Sequence, residues 1–247
     1  MKALLLAAGE GTRLRPHTDD RPKPMVPIAG VPMIDFALTW LRRHGVSEVA
    51  INLHYKPARL VEHVGTGERF GLRIVYSHES ELLGSAGALR PLRDYFATAA
   101  EFVVLYGDVL TNFPLSDALQ KHRSSQADLT MVLTTVDDPT RAGIAEVGED
   151  GRILRFVEKP KPNEVFSSWA NAGVYVCGPR VLDFVGETES RDFGRHVIPA
   201  MLDAGALVAG VPTKALVIDM GSPERMNEAT RLAHRGAFDG SPATVPC

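Results

Sequence analysis

Along the first half of the chain, short apolar runs alternate with stretches of helical period. Lys2–Ala7, Glu48–Leu53, Leu72–Tyr76, Phe102–Tyr106 and Asp128–Val136 have strand composition. Two of these runs, LLLAA at 4–8 and VVLY at 103–106, are apolar at successive positions, the pattern of strands covered on both faces. Between them, Met33–His44 carries Ile34, Ala37, Leu38 and Leu41 at helical spacing, with Gly45 where a C-terminal cap belongs. Ala86–Phe96 and Leu115–Arg123 repeat the helical pattern. This alternation predicts an α/β fold: a Rossmann-like, mostly parallel sheet flanked by helices.

After Val136 the character changes. GIAEVGEDGRILRFVEKP reads as a β-hairpin turning at Glu149-Asp150-Gly151. A strand at Gly173–Cys177, helices near Pro179–Val185 and Phe193–Asp203, a strand at Leu216–Asp219 and a last helix at Pro223–His234 follow. The expected organisation is one domain over 1–235, in a regular half (1–136) and a smaller, β-rich half (137–235). The last residues, 236–247, are expected to form a flexible tail.

Bulk properties narrow the setting. With 247 residues, 45% hydrophobic, 23% charged and a net charge of −3, the chain has an ordinary globular composition. It has no basic field to draw nucleic acid or anionic lipid. The run Ala3–Ala8 is too short for a signal-peptide core, and no apolar run approaches the roughly 20 residues that span a bilayer. Cys177 and Cys247 form neither a disulfide framework nor a metal spacing, so a cytoplasmic location is expected. His17, His54, His63, His78 and His122 show no ligand spacing either.

Chemistry concentrates where the first strand ends. LAAGEGTRLRPHTDDRPKP holds a Gly-x-Gly turn, Thr12, Arg13 and a Lys23 between two prolines. Two familiar phosphate loops fail here. No G-x-x-x-x-G-K-[ST] is present, and the third glycine of G-x-G-x-x-G is replaced by Leu14. What remains is still suited to phosphate. Gly9 and Gly11 allow backbone N–H groups close to an anion, Thr12 adds a hydroxyl and Arg13 a bidentate donor. Lys23 is a point charge on stiff backbone.

This stretch, continued through MVPIAGVPMI, resembles the opening motif of the sugar-1-phosphate nucleotidylyltransferases, the nucleotide-sugar pyrophosphorylases. LLGSAGAL, VVLYGDVL, FVEKP, NAGVYV and VIDMGSPERMNEA resemble that family's later motifs, in its order, to about residue 232. The resemblance implies the nucleotide-diphospho-sugar transferase fold, with the second half binding the sugar. It also implies transfer of a nucleoside monophosphate from an NTP to a sugar 1-phosphate, with release of pyrophosphate. A phosphomonoester has its second pKa at about 6, so the nucleophile is already ionised and no Ser/His/Asp relay is required. Positioning and charge neutralisation remain for the protein.

Residue by residue, the resemblance implies that Leu6, Ala7, Ala8, Gly9, Gly11 and Thr12 wrap the nucleotide. Arg13 would contact the departing phosphates and Lys23 the α-phosphate. Asp108 and Asp219 would hold Mg²⁺. Glu158 would face sugar hydroxyls and Lys159 the sugar phosphate, with Gly143, Asn171 and Gly173 also on the sugar. Glu79, Gly84 and Gly87 match base-contacting positions. A carboxylate is acceptor-only and complements the N1–H and N2–H₂ donors of guanine, whereas glutamine suits uracil or thymine. LLGSAGAL also resembles the corresponding loop of mannose- and heptose-1-phosphate guanylyltransferases, so GTP is favoured, with UTP or dTTP as alternatives. Mannose, a manno-heptose, a muramic acid derivative or a cyclitol would fit as the sugar.

A non-catalytic regulatory relative is disfavoured by the intact Arg13, Lys23, Asp108, Lys159 and Asp219. A metal-dependent glycosyltransferase would need D-x-D, but Val109 and Leu110 follow Asp108. No acyltransferase or regulatory β-helix is expected from the short C-terminal part. Relatives commonly form dimers or tetramers, which allows a homo-oligomer.

Overall fold

A computed structural model describes residues 1–187, 189 and 191–238. In chain order it contains β1 (Lys2–Leu6), β2 (Pro27–Ile28), β3 (Val31–Pro32), α1 (Met33–Arg43), β4 (Glu48–Leu53), α2 (Pro57–Val64) and β5 (Arg73–His78). There follow α3 (Arg93–Ala97), β6 (Phe102–Tyr106), β7 (Val109–Thr111), α4 (Leu115–Ser125), β8 (Leu129–Thr135), β9 (Gly143–Val147) and β10 (Ile153–Glu158). The chain continues with β11 (Trp169–Cys177), α5 (Ile198–Asp203), β12 (Val208–Pro212), β13 (Val217–Asp219) and α6 (Pro223–His234). The expected α/β fold, a mostly parallel central sheet flanked by helices, is the fold found.

The chain gathers into two compact units: Met1–Leu82 with Leu105–Phe113 and the segment from Leu216 onward, and Leu83–Val104 with Pro114–Ala215. This differs from a single cut at 136, because β7 and β13 form an antiparallel ladder that returns the C-terminal segment to the N-terminal unit.

In the first unit β1, β4 and β5 run parallel, with Leu4 opposite Ala50 and Ala50 opposite Val75. Ala3, Leu4, Leu5, Val49, Ala50 and Ile51 have no exposed surface, which is why these strands read as continuous apolar runs. A second core joins Leu14, Val26, Ile28, Met33, Phe36, Leu110, Ile218, Met220, Ala229, Ala233 and Phe238. It joins the turn after β1, the β7–β13 ladder and α6 to α1. Of the residues expected in the tail (236–247), Phe238 belongs to this core. Phe238 is 2% exposed and meets the Phe36 ring edge-on at 6.4 Å; residues 239–247 lie outside the described residues.

In the second unit β8 pairs parallel with β12 and antiparallel with β11, and β9 and β10 form the expected hairpin. The helix expected over Ala86–Phe96 is a 3₁₀ segment, Gly87–Leu92, followed by the short α3. Pro91 supplies no backbone donor there and interrupts the α-helical ladder. The segment expected as helix from Phe193 opens with a π-helical turn, Phe193–Val197, before α5. Among the described residues no helix is long and apolar enough to cross a membrane.

Candidate functional site

In the first unit, the turn after β1 is built around Lys23. Gly11 has φ +65°, and a Cβ there would come within 2.9 Å of both Lys23 Cβ and Thr18 Cγ2. Only glycine allows this approach. The Thr18 hydroxyl donates to the Gly11 carbonyl at 2.9 Å and closes the loop onto itself. Gly9 is different: a Cβ there would meet nothing within 4 Å. Packing within the chain does not explain Gly9. Thr12 and Arg13 are exposed, and Leu14 anchors the turn in the core.

Lys23 is 9% exposed, and its ammonium donates to Asp108 Oδ2 at 2.5 Å. Asp108 follows β6, where Gly107 passes so close to β1 that a Cβ would lie 2.4 Å from the Leu6 carbonyl. The β7–β13 ladder pairs Val109 with Asp219, and the Met220 N–H donates to the Asp108 carbonyl at 2.9 Å. Two carboxylates thus stand side by side with one ammonium. Asp219 titrates above the usual carboxylate range, first because surrounding protein disfavours its charge and second because Asp108 repels it; Lys23, Arg13 and Arg225 oppose the rise. Such a pair suits a hard divalent cation that completes its shell with water and phosphate oxygens. No group of three or more ligating side chains gathers among the described residues, so a cation here would take few protein ligands.

Glu79 is buried (7% exposed) at the end of β5, and its Oε1 accepts from the Asn52 amide at 2.8 Å. Asn52 Oδ1 accepts from the Ala7 N–H at 2.7 Å. One amide therefore bridges two expected nucleotide positions and uses the N–H of Ala7. Ala7 and Ala8 are themselves buried.

In the second unit, Glu158 and Lys159 lie at the end of β10, Gly143 opens β9 opposite Glu158, and Asn171 and Gly173 lie in β11. A Cβ on either Gly143 or Gly194 would come within 2.4 Å of Glu158 Oε2, so these two glycines make room for the carboxyl. Burial raises the Glu158 pKa, Lys159 and Arg195 pull it down, and Asp192 raises it again. Lys159 has φ +52°, uncommon for a residue with a side chain, and its N–H donates to the Ala142 carbonyl at 3.0 Å. Asn171 bridges a bulge: its Oδ1 accepts from the Gly173 N–H at 3.0 Å, and its amide donates to the Tyr175 hydroxyl. The β11–β8 register shifts between Asn171 and Tyr175, and Gly173 has φ +71°. Both residues thus have a structural reason to be present.

Gly84 also has one. A Cβ on Gly84 would lie 2.4 Å from the Arg191 carbonyl oxygen, and the Ala86 and Gly87 N–H groups both donate to that oxygen. Gly84 lets the loop pack on the Arg191 main chain, whereas a Cβ on Gly87 would meet Arg191 N only at 3.5 Å, an ordinary contact.

The family model for nucleotidyl transferases matches residues 2–235. The chain belongs to the nucleotidyl transferase family. The chain is 34% identical to the UTP–glucose-1-phosphate uridylyltransferase of Synechocystis, over 90% of its own length and 60% of the relative's. It is 35% identical to the mannose-1-phosphate guanylyltransferase catalytic subunit beta of Dictyostelium discoideum, over 91% and 62%. The chain thus spans about three fifths of the length of these curated relatives. A crystal structure from Bacillus anthracis, assigned to glucose-1-phosphate thymidylyltransferase and holding sucrose, superposes with a TM-score of 0.84 at 25% identity, covering 94% of each chain. The motif resemblance to sugar-1-phosphate nucleotidylyltransferases holds at family level. The names of these relatives divide over the base.

Some polar residues of the site gave little signal in the sequence. Asn52 sits in an apolar strand, AINLHY, where the alternation offers no reason to single it out. Asp192 and Arg195 act on Glu158 from the π-helical turn, more than thirty residues downstream. Asp192 also accepts from the Ser85 N–H and hydroxyl at 3.1 and 3.2 Å, which ties LLGSAG to this turn. In RDFGRH, Asp192 and Arg195 stand on either side of Phe-Gly, a spacing that local pattern does not mark.

Proposed function

We propose that this transferase moves a nucleoside monophosphate from an NTP, GTP by preference, to a sugar 1-phosphate and releases pyrophosphate. The observation that carries the reading is the Lys23–Asp108 ion pair, with Asp219 brought beside it by the β7–β13 ladder and the open Gly9 turn following β1. An NTP needs such a mixture of a fixed cation, flexible backbone donors and metal-binding carboxylates. Asp108 and Asp219 would hold Mg²⁺, which when bound supplies charge neutralisation on phosphate oxygens.

In the proposed reaction an oxygen of the sugar phosphate forms a bond to the α-phosphorus. The bond from that phosphorus to the bridging oxygen of the β-phosphate breaks, and pyrophosphate leaves with the electron pair. Lys23 stabilises the added negative charge at the α-phosphate, and Arg13 holds the departing phosphates. Lys159 receives the acceptor phosphate and Glu158 the sugar hydroxyls. The guanine preference is supported by Glu79, which takes a hydrogen bond from Asn52 and so behaves as an acceptor. Mannose 1-phosphate is the first acceptor to test, since a guanylyltransferase among the relatives is named for it.

The test is pyrophosphate release with Mg²⁺, each of the five common NTPs and a panel of sugar 1-phosphates. Release that requires both substrates and is fastest with GTP is expected. Release from no pair would overturn the activity and favour a regulatory, nucleotide-sugar-binding role. Release fastest with UTP or dTTP would overturn the base assignment alone.

A further inference from the structure

Thr18, in the loop between Gly11 and Lys23, is 1% exposed, as buried as the core residue Leu14 although it is polar. Its hydroxyl donates to the Gly11 carbonyl at 2.9 Å, and that carbonyl also accepts the Leu14 N–H at 2.9 Å. Its methyl and the Lys23 stem flank the open side of Gly11: the point a Cβ would occupy is 2.9 Å from both Thr18 Cγ2 and Lys23 Cβ. From outside the loop, the Tyr55 hydroxyl donates to the Thr18 carbonyl at 3.2 Å, and the Lys56 ammonium donates to the Asp19 carbonyl. Thr18 is thus held through its carbonyl, and it confines the backbone against which the Lys23 stem packs. It carries no charge, so a contribution to phosphate chemistry has to pass through a neighbour.

We propose that Thr18, held by Tyr55, is a positioning residue that fixes the Lys23 ammonium for its work at the α-phosphate. The inference rests on the role given to Lys23 in the proposed reaction. Lysine carries its charge on a flexible four-carbon stem, so its position depends on what holds both ends. The bond to Asp108 holds the tip, and the contact with Gly11 and Thr18 holds the base of the stem. A displacement of about 1 Å at a reacting centre can cost on the order of 10²-fold in rate. Loss of the Thr18 hydroxyl leaves the Gly11 carbonyl with the Leu14 N–H, so restraint is lost without stranding a buried acceptor. A loss that passes through Lys23 has a signature that general weakening of the fold lacks. It disappears once the charge at position 23 is already gone.

The experiment measures pyrophosphate release with Mg²⁺ and the fastest NTP and sugar 1-phosphate of the panel above, GTP and mannose 1-phosphate being expected. Melting temperatures are taken alongside. The variants are Thr18→Val, Thr18→Ser and Tyr55→Phe, each alone and combined with Lys23→Met. Valine keeps the shape and methyl of threonine and removes the hydroxyl, whereas serine keeps the hydroxyl. In the otherwise wild-type protein Thr18→Val should lower kcat on the order of 10-fold and Tyr55→Phe about three-fold, with KM for the sugar 1-phosphate unchanged. Thr18→Ser should keep most of the rate. Combined with Lys23→Met, none of the three should lower kcat further by more than about 1.5-fold. Should Thr18→Val fail to fold, the Tyr55→Phe pair decides alone. Losses of equal size in both backgrounds, or a wild-type rate in Tyr55→Phe, would overturn this inference and leave the proposed activity standing. A Lys23→Met rate near that of the wild type would overturn the role of Lys23 and this inference together. No release by the wild type from any pair would overturn the activity as well.

Discussion

Replacing Lys23 by methionine keeps the length and apolar stem of the side chain and removes its charge. Lys23 is nearly buried and directly paired with Asp108, whose side chain is about 29% exposed, with Asp219 close enough to feel both. A unit charge about 4 Å from its partner is worth ~4 kcal/mol at an effective dielectric near 20, and the partial exposure of Asp108 lowers that value. Preorganised groups that act on transition-state charge contribute about 3–4 kcal/mol each, which corresponds to 10²- to 10³-fold in turnover. Lys23→Met should therefore lower kcat on the order of 10²-fold or more, with a smaller change in KM for the nucleotide. Lys23→Arg should not restore the rate, because a planar guanidinium does not reproduce the compact point charge that the ammonium places on Asp108 Oδ2. Steady-state assays at saturating substrates, with circular dichroism to confirm folding, measure this. A folded Lys23→Met enzyme within about three-fold of wild type would refute the electrostatic role.

Gly9→Ala should fold with unchanged stability, since its Cβ meets nothing, yet bind NTP more weakly; unchanged affinity by calorimetry would remove the turn from the nucleotide site. Gly143→Ala should cost about 1–3 kcal/mol in urea denaturation and raise KM for the sugar 1-phosphate, because the new Cβ collides with Glu158 and the Phe156 ring. Glu158 has its folded pKa raised, so the folded state binds more protons than the unfolded and stability declines as pH rises from the ordinary carboxylate range through the raised value. Glu158→Gln should abolish that decline and stabilise the protein at pH 7; an unchanged pH profile would contradict it. His122 behaves in the opposite way: burial lowers its pKa, so the unfolded state binds more protons and stability falls as pH drops below about 6.5 through the lowered value. His122→Gln should flatten that fall in denaturation curves between pH 7.5 and 5.

The strands of the first unit were legible because burial on both faces leaves continuous apolar runs: β4 and β6 have the bounds expected. Glu48–Leu53 and Phe102–Tyr106 need no tertiary information to be read. Pro223–His234 was equally clear, with Ser222 as a side-chain cap before a proline at the first helical position. Five elements were not anticipated. β7, β12 and the two-residue strands β2 and β3 are short or hold small and polar residues, and they become strands only by pairing with other segments. α2 follows Lys56 in the left-handed region, a start that composition does not announce. In the site, the motifs pointed to the residues but not to how they combine. Gly84 read as a ligand-facing glycine, and it also packs tightly against the Arg191 main chain. Asn171 read as a sugar contact, and it bridges a bulge in its own strand. The proximity of Asp108 to Asp219 depends on a ladder joining segments about 110 residues apart, which no local pattern encodes.

The most direct measurement follows the phosphorus atoms. The protein is incubated with Mg²⁺, mannose 1-phosphate and GTP labelled at either the α- or the γ-phosphate. The account predicts α-label in a sugar nucleotide and γ-label in pyrophosphate, both only when the sugar phosphate is present. Label confined to GDP, GMP or inorganic phosphate, whether or not sugar phosphate is added, would contradict it.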